Sequence, residues 1–177
     1  LEDLCSRGLP LPALLIADGN PGVIAALREG NWADVPRQRC ILDKTWNVLE
    51  RVTKGRQAEV RRALNRIWYA PSLEEALAQA KKFAQKYGPV FPAAVEVLGT
   101  DLASCLTFFR FPVRHWKRIR TANPLERTFR EVRRRTDVVG RFPNEMSALA
   151  LIFAVLVQAR EKWRGLKLLE GEVLEDD

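Results

Sequence analysis

Residue types that often mark a functional class are scarce in this sequence of 177 residues. It contains one histidine and three cysteines, and the cysteines lie far apart without a Cys-x-x-Cys pair. A metal centre of several histidines is therefore excluded, and neither a structural zinc site nor a disulfide framework is indicated. Free thiols are typical of a reducing compartment, so we expect a cytoplasmic protein.

Long apolar runs and nucleotide-binding signatures are also missing. The longest apolar run, residues 148–157, is about half of the roughly 20 residues that a helix needs to cross a bilayer. The chain opens without a basic-then-apolar leader, and it has no P-loop, no G-x-G-x-x-G and no G-x-S-x-G elbow. We expect a soluble protein without a membrane partner, whose chemistry depends on carboxylates and arginines.

Positive charge is concentrated in one segment of the chain. Residues 110–141 hold eleven Lys or Arg against three acidic residues, a net charge of +8 in a chain whose total is +7. Such a concentration is typical of a phosphate-backbone contact, and the alternative is a solvated helix face. The residues predicted to contact DNA are Arg114, Lys117, Arg118, Arg120, Arg127, Arg130, Arg133, Arg134 and Arg135. His115, within this segment, is interpreted as a phosphate-backbone contact or a surface residue rather than a catalyst.

The hydrophobic pattern changes once along the chain. Residues 11–18 form an apolar run of strand length, a Gly/Asn/Pro turn and a helical pattern follow, and residues 37–44 are a second strand candidate. This order predicts a strand-helix-strand unit of a parallel sheet. From Thr45 onward the spacing is helical, with successive helices over 45–109, a helix from Asn123 and a last helix from residue 144 or 145. The predicted fold class is therefore α/β and predominantly helical.

Two carboxylates occupy positions where metal ligands occur, and each has a purely structural alternative. Asp18 ends the first predicted strand, where α/β sheets expose side chains to a crevice, but it also opens an Asp-Gly-Asn-Pro turn. Glu126 follows Asn123 at capping-box spacing, with Pro124 at the first helical position. Carboxylate oxygens suit Mg²⁺, so both residues are also candidate ligands. Spacing alone leaves these alternatives open.

Four segments resemble a known family, the Mutator-type transposases of bacterial insertion sequences, and the resemblance extends over nearly all of residues 8–164. They are "LIADGNPGVIAAL", "VPRQRCILDKTWNVL", "RIRTANPLERTFREVRRRTDVVGRFPNEMSAL" and "REKW". The resemblance implies a ribonuclease-H-like catalytic domain with a three-carboxylate site for Mg²⁺ or Mn²⁺. By position, Asp18 corresponds to the second catalytic aspartate and Glu126 to the catalytic glutamate.

The resemblance also implies how the chain divides. It implies a partial ribonuclease-H-like core with the later strands only, a large helical insertion and core helices, and the composition adds an acidic tail that we expect to be disordered. These parts are expected at residues 1–44, 45–120, 121–165 and 166–177.

This sequence departs from the family pattern in two places. The family's first catalytic aspartate precedes the position of Asp18 by some tens of residues, and Asp3, in a predicted helix, is a poor substitute. The family's Cys-x-x-His is Cys40-x-x-Asp43 here. Together the two departures imply the carboxyl-terminal catalytic fragment of a larger transposase, or a decayed open reading frame, and a chain that is inactive by itself.

The intact enzyme is implied to cleave a strand at the element end and to join the freed 3′ hydroxyl to target DNA, in association with the bacterial nucleoid. Its expected partners are transposon-end and target DNA and a second copy of the chain, as a symmetric dimer through residues 11–18. One alternative is a catalytically silent DNA-binding module that inhibits an intact transposase. The other is a helical protein-interaction module.

Overall fold

The structure is a computed structural model that describes residues 2–28 and 30–162. The described residues up to Thr121 form one compact unit, and those from Ala122 onward form a second. Helices predominate in both units, and the first also contains a small two-stranded parallel sheet. The acidic tail at 166–177 lies outside the described residues.

The sheet is built from the strand-helix-strand unit that the sequence predicts. Strand β1 is Leu15–Ala17 and strand β2 is Arg37–Arg39, and the two are parallel, with Leu15 opposite Arg37 and Ala17 opposite Arg39. Helix α2, Pro21–Ala26, lies between them in the chain. Its N-cap residue, Asn20, accepts a hydrogen bond from the backbone N–H of Gly22 at 2.9 Å. The predicted parallel unit is confirmed.

Both strands are shorter than predicted, and local chemistry explains each limit. Pro10 and Pro12 lack the N–H that a ladder requires, which excludes the start of the predicted run from pairing, and β1 begins at Leu15. Cys40 is the N-cap of the next helix, which begins at Ile41 and ends the second strand earlier than the apolar pattern indicates. The predicted start of helical structure at Thr45 is therefore wrong by four residues.

Helices make up the rest of the first unit. Besides α2 they are α1 Glu2–Ser6, α3 Ile41–Leu49, α4 Gln57–Trp68, α5 Leu73–Tyr87, α6 Pro92–Thr100, α7 Leu102–Cys105 and α8 Val113–Ile119. Short 3₁₀ helices occur at Gly30–Trp32, Lys54–Arg56 and Thr107–Arg110. Helix α4 packs against α3 and α5, and α6 against α3 and α5. The Ser72 side chain caps α5 by accepting from the Glu75 N–H at 3.2 Å.

One buried glutamine joins the sheet to the helices. Gln38 in β2 has no exposed surface. Its Nε2 donates to the Cys105 carbonyl at 2.8 Å, and its Oε1 accepts from the Phe108 N–H at 2.7 Å. The side chain thereby satisfies backbone groups of α7 and of the 3₁₀ helix that follows it. It links residues about 70 positions apart and takes the Phe108 N–H and the Cys105 carbonyl as partners at the point where α7 gives way to the 3₁₀ helix.

The second unit is a pair of packed helices, α9 Asn123–Asp137 and α10 Glu145–Lys162. Gly140, at φ +66°, lies in the connection, where a left-handed backbone favours glycine. Asn144 immediately precedes α10 and caps its first turn, because its side chain accepts a hydrogen bond from the Ser147 N–H at 2.9 Å. Both helices occupy the positions that their spacing predicts.

Candidate functional site

The candidate site in the first unit lies where the two parallel strands end. Asp18 follows β1 directly, and Cys40 follows β2 directly. The Cys40 N–H donates to the Ala17 carbonyl at 2.8 Å, which extends the pairing to this edge. The carboxyl ends of parallel strands are the usual position of α/β sites.

Asp18 already has one structural role in this edge. Its Oδ1 accepts a hydrogen bond from the Asn20 N–H at 2.9 Å, which forms the turn before α2. The residue is exposed, and a carboxylate has about four lone-pair sites, so one such bond leaves acceptor capacity for a second partner. The structural and the metal-binding interpretations of Asp18 are therefore compatible.

Asp43 is a further carboxylate at the same edge, in the first turn of α3. Its Oδ2 is buried and has no hydrogen-bond partner among residues 2–28 and 30–162. A buried carboxylate oxygen without a partner is costly, and a hard cation such as Mg²⁺ would supply one. The oxygens of Asp18 and Asp43 thus fit the donor set of Mg²⁺, whereas the soft, buried thiol of Cys40 does not.

A buried charge cluster, which sequence reasoning missed, adjoins this edge. Arg39 and Lys44, with side chains 9% and 4% exposed, both form ion pairs with Asp101, and the Arg39 Nε lies 3.1 Å from its carboxylate. Two cations thus share one anion. The Arg39 Nη1 is buried and has no hydrogen-bond partner in the described part of the chain. We call Arg39, Lys44 and Asp101 the buried triad.

Gly19 connects the triad to the turn that carries Asp18. A Cβ atom at position 19 would overlap the Arg39 guanidinium, and the backbone there has φ +83°. Only glycine satisfies both conditions without strain. The net positive charge of the triad therefore lies directly against the Asp18 turn, where it favours negative charge.

Glu126 belongs to the second unit and lies exposed in the first turn of α9. The N-cap is Ala122, whose own side chain makes no capping hydrogen bond. Asn123 is therefore the first helical residue rather than the cap, and the predicted capping box is wrong. The exposed Arg127 and Arg130 lie on the same helix.

The arginines near the end of α9 are partly neutralised within the helix. Glu131 accepts from the Arg134 Nη2 at 2.8 Å and from the Arg135 Nε at 2.9 Å. Hydrogen bonds from Arg134 and then Arg135 lower the pKa of Glu131 to about 2. Arg133 is exposed and forms no ion pair with any residue that the structure describes. The Glu131 bonds orient two of these three arginines along the surface.

The basic residues around α8 fall into two groups. Arg114, Lys117 and Arg118 are exposed. Arg120 instead donates from Nη1 to the Trp68 carbonyl at 2.8 Å, its guanidinium lies 4.5 Å from the centre of the Tyr69 ring, and burial lowers its pKa. The Arg120 guanidinium is therefore engaged in packing within the first unit.

The interpretation of His115 as a phosphate contact or surface residue is wrong. Its residue surface is 5% exposed, and neither ring nitrogen has a hydrogen-bond partner among the described residues. Ile119, one turn further along α8, is equally buried. This face of α8 packs inward, which a basic sequence context does not reveal.

Comparison with known proteins identifies the family. The chain matches the family of transposases described as Mutator over residues 1–165. It belongs to the Mutator family of transposases. The transposase for insertion sequence element IST2 of Acidithiobacillus ferrooxidans is 39% identical over 167 residues, which are 94% of this chain and 56% of that protein. The transposase for IS6120 of Mycolicibacterium smegmatis is 33% identical over 94% of this chain and 51% of its own length.

A third relative of this Mutator-family chain is the transposase for IS1081 of Mycobacterium tuberculosis, 37% identical over 98% of this chain and 42% of that protein. The chain therefore spans about half the length of the relatives it matches. Among residues 2–28 and 30–162, no helix combines the length and apolar character needed to cross a bilayer.

Proposed function

We propose that this chain forms the carboxyl-terminal part of the catalytic domain of a DNA transposase, within a ribonuclease-H-like core that a helical insertion interrupts. The observation that carries the proposal is the edge of the parallel sheet, where Asp18 and Asp43 follow adjacent strands and the buried Asp43 Oδ2 has no hydrogen-bond partner in the part of the chain that the structure describes. Membership of the Mutator family supplies the reaction class.

In this proposal Asp18 and Glu126 are ligands of Mg²⁺ or Mn²⁺ in the intact enzyme. Asp43 is a further candidate ligand at the sheet edge. The metal, when bound, supplies Lewis acidity to the attacking and leaving oxygens of a phosphodiester. Residues of this chain position the Asp18 turn and bind the DNA phosphates. Gly19 allows Arg39 to approach the Asp18 turn, and the exposed Arg127 and Arg130 hold DNA phosphates close to Glu126.

The test uses an intact transposase that contains this segment. Glu126→Gln and Asp18→Asn keep the size of each side chain but remove a carboxylate ligand, so we expect strand cleavage to be lost while the melting temperature is retained. Matched controls are Glu74→Gln, a glutamate exposed in the first turn of α5, and Asp34→Asn, an exposed aspartate outside the sheet edge. Normal cleavage by Glu126→Gln would reject its role as a ligand.

A second candidate function is a catalytically silent DNA-binding module, which the exposed basic residues of α8 and α9 favour. Both functions predict DNA affinity that falls linearly with the logarithm of salt concentration. Replacing Arg133, Arg134 and Arg135 with Ala should flatten the slope by up to about 3 units if each contacts a phosphate. Metal-dependent cleavage by the intact protein separates the two functions, because the silent module predicts none.

A further inference from the structure

Helices α4 and α5 form a basic cleft well separated in sequence from the arginines of α8 and α9. Four exposed cations line it, Arg62 and Arg66 from α4 and Lys82 and Lys86 from α5. The cleft has a volume of about 170 Å³, and the buried rings of Phe83 and Tyr87 contribute to its wall. We call this surface the α4–α5 cleft.

The cations of the α4–α5 cleft are arranged as two rows. The two arginines are four residues apart on one helix, and the two lysines are four residues apart on the other. Four residues correspond to one helical turn and a rise of about 6 Å, so each row places two charges on the same side of its helix. A concave surface lined by charges of one sign concentrates its potential on ions of the opposite sign.

Glu59 is the single carboxylate that lines the cleft among the described residues, and it is already neutralised. Its Oε1 lies 2.8 Å from the Lys86 Nζ, and its Oε2 accepts from the Arg56 Nε at 2.8 Å. Hydrogen bonds from Lys86, Tyr87 and Arg56 lower the pKa of Glu59 to about 2, so the carboxylate is ionised at neutral pH.

The three remaining cations of the cleft are available to another molecule. Arg62, Arg66 and Lys82 form no ion pair with any residue of the described ranges. A solvated helix face usually carries charges of both signs that pair along the helix. Three cations without counter-charges on one concave surface depart from that pattern.

We infer that the α4–α5 cleft is a second contact for the phosphate backbone of duplex DNA, in addition to the basic residues of 110–141. The inference rests on the proposed function, because it presupposes that the chain acts on DNA. Two rows of exposed cations suit a duplex, whose strands each carry one charge per about 3.4 Å of axis.

Other occupants fit the cleft less well. Its volume of about 170 Å³ is below the roughly 300 Å³ of the smallest usual ligand pockets, and its cations are exposed rather than enclosed. An acidic protein partner would need an apolar anchor in the lining, but Phe83 and Tyr87 are only 3% and 2% exposed. Exposed phosphates on an extended backbone need neither enclosure nor an anchor.

The test measures DNA binding by the full 177-residue chain, using fluorescence anisotropy of a labelled duplex over a series of NaCl concentrations. The variant Arg62→Gln/Arg66→Gln/Lys82→Gln removes the three unpaired cations of the cleft. We expect it to flatten the slope of log affinity against log salt by up to ~2.7, since each lost phosphate contact contributes about 0.9.

The control Arg28→Gln/Arg51→Gln/Lys54→Gln removes the same charge from exposed positions of the first unit outside the cleft. We expect its slope to match that of the parent, and circular dichroism checks that each variant folds. Glu59→Gln makes the chain more positive by one charge. It also releases Lys86 and Arg56 from the carboxylate that they share. It should bind DNA more tightly and steepen the slope by up to about 0.9, because Lys86 lines the cleft and gains freedom to contact a phosphate.

Each outcome separates this inference from the proposed function. A folded triple variant whose slope matches that of its control rejects the α4–α5 cleft, and DNA binding by the parent then leaves the proposed function intact. The absence of salt-dependent DNA binding in the parent rejects the cleft and the silent DNA-binding module, whereas the cleavage assay on an intact transposase still decides the proposed catalytic function. A flattened slope in the cleft variant, together with an unchanged slope in the control, supports the cleft.

Discussion

The two cations of the buried triad share one carboxylate, so we expect loss of the carboxylate to destabilise the protein more than loss of one cation. Asp101→Asn removes the only anion of the triad and leaves Arg39 and Lys44 buried without an ion-pair partner among residues 2–28 and 30–162. Lys44→Met removes one cation at similar volume and leaves Arg39 and Asp101 as a neutral pair. The two substitutions each change the net charge by one, but we expect them to lower the free energy of unfolding by different amounts.

The expected magnitudes follow from burial. Removing one partner of a buried ion pair costs about 3–5 kcal/mol, and the 23% exposure of the Asp101 side chain favours the lower end, about 3 kcal/mol. Replacing a surplus buried cation by an apolar group of similar size is close to neutral, so we expect about 1 kcal/mol or less for Lys44→Met. A loss of about 3 kcal/mol lowers the melting temperature of a chain of this size by roughly 6–12 °C.

Urea unfolding followed by tryptophan fluorescence measures the difference. Four of the five tryptophans, Trp32, Trp46, Trp68 and Trp116, lie in the first unit, so the signal mainly reports the unit that contains the triad. Asp34→Asn, at an exposed position, is the matched control and should stay within about 0.5 kcal/mol of the parent. Equal destabilisation by Asp101→Asn and Lys44→Met would refute the reasoning.

Three further measurements test the fold and its ionisation. Gln38→Ala should destabilise the first unit by about 1–3 kcal/mol, because the Phe108 N–H and the Cys105 carbonyl lose their buried partner, and the same unfolding assay would contradict this if the midpoint were unchanged. The folded-state pKa of Glu59 is about 2, so its contribution is complete above the unfolded-state value of about 4.5 and is lost as the pH falls toward 2. The stability difference between the parent and Glu59→Gln should therefore shrink over that interval, and a constant difference would show that the ion pairs contribute nothing. Sedimentation at several concentrations tests the proposed dimer through residues 11–18, where the exposed Leu11 and the outer edge of β1 offer a pairing surface, and a monomer at every concentration would reject it.

Local patterns in the sequence were sufficient for the strand-helix-strand unit, for most of the longer helices and for the position of Asp18, but not for the break within 92–109 or for α8. An apolar run that ends in Asp-Gly-Asn-Pro predicts a strand followed by a turn and a helix, and the signals involved act over a few residues. The Ser72 cap and the start of α10 near Asn144 are predictable for the same reason. The length and specificity of the "RIRTANPLERTFREVRRRTDVVG" segment were sufficient for the family.

Contacts between distant residues were decided only by the tertiary structure. Asp101 lies 57 residues after Lys44 in the sequence, and no local pattern indicates that this aspartate pairs with two buried cations near the Asp18 turn. The burial of His115 and the bonds from Gln38 to the backbone near Phe108 depend in the same way on which helix faces pack inward. Helical periodicity and capping depend on neighbours within a turn, whereas the partner of a buried charge is chosen when distant segments close around it and exclude water.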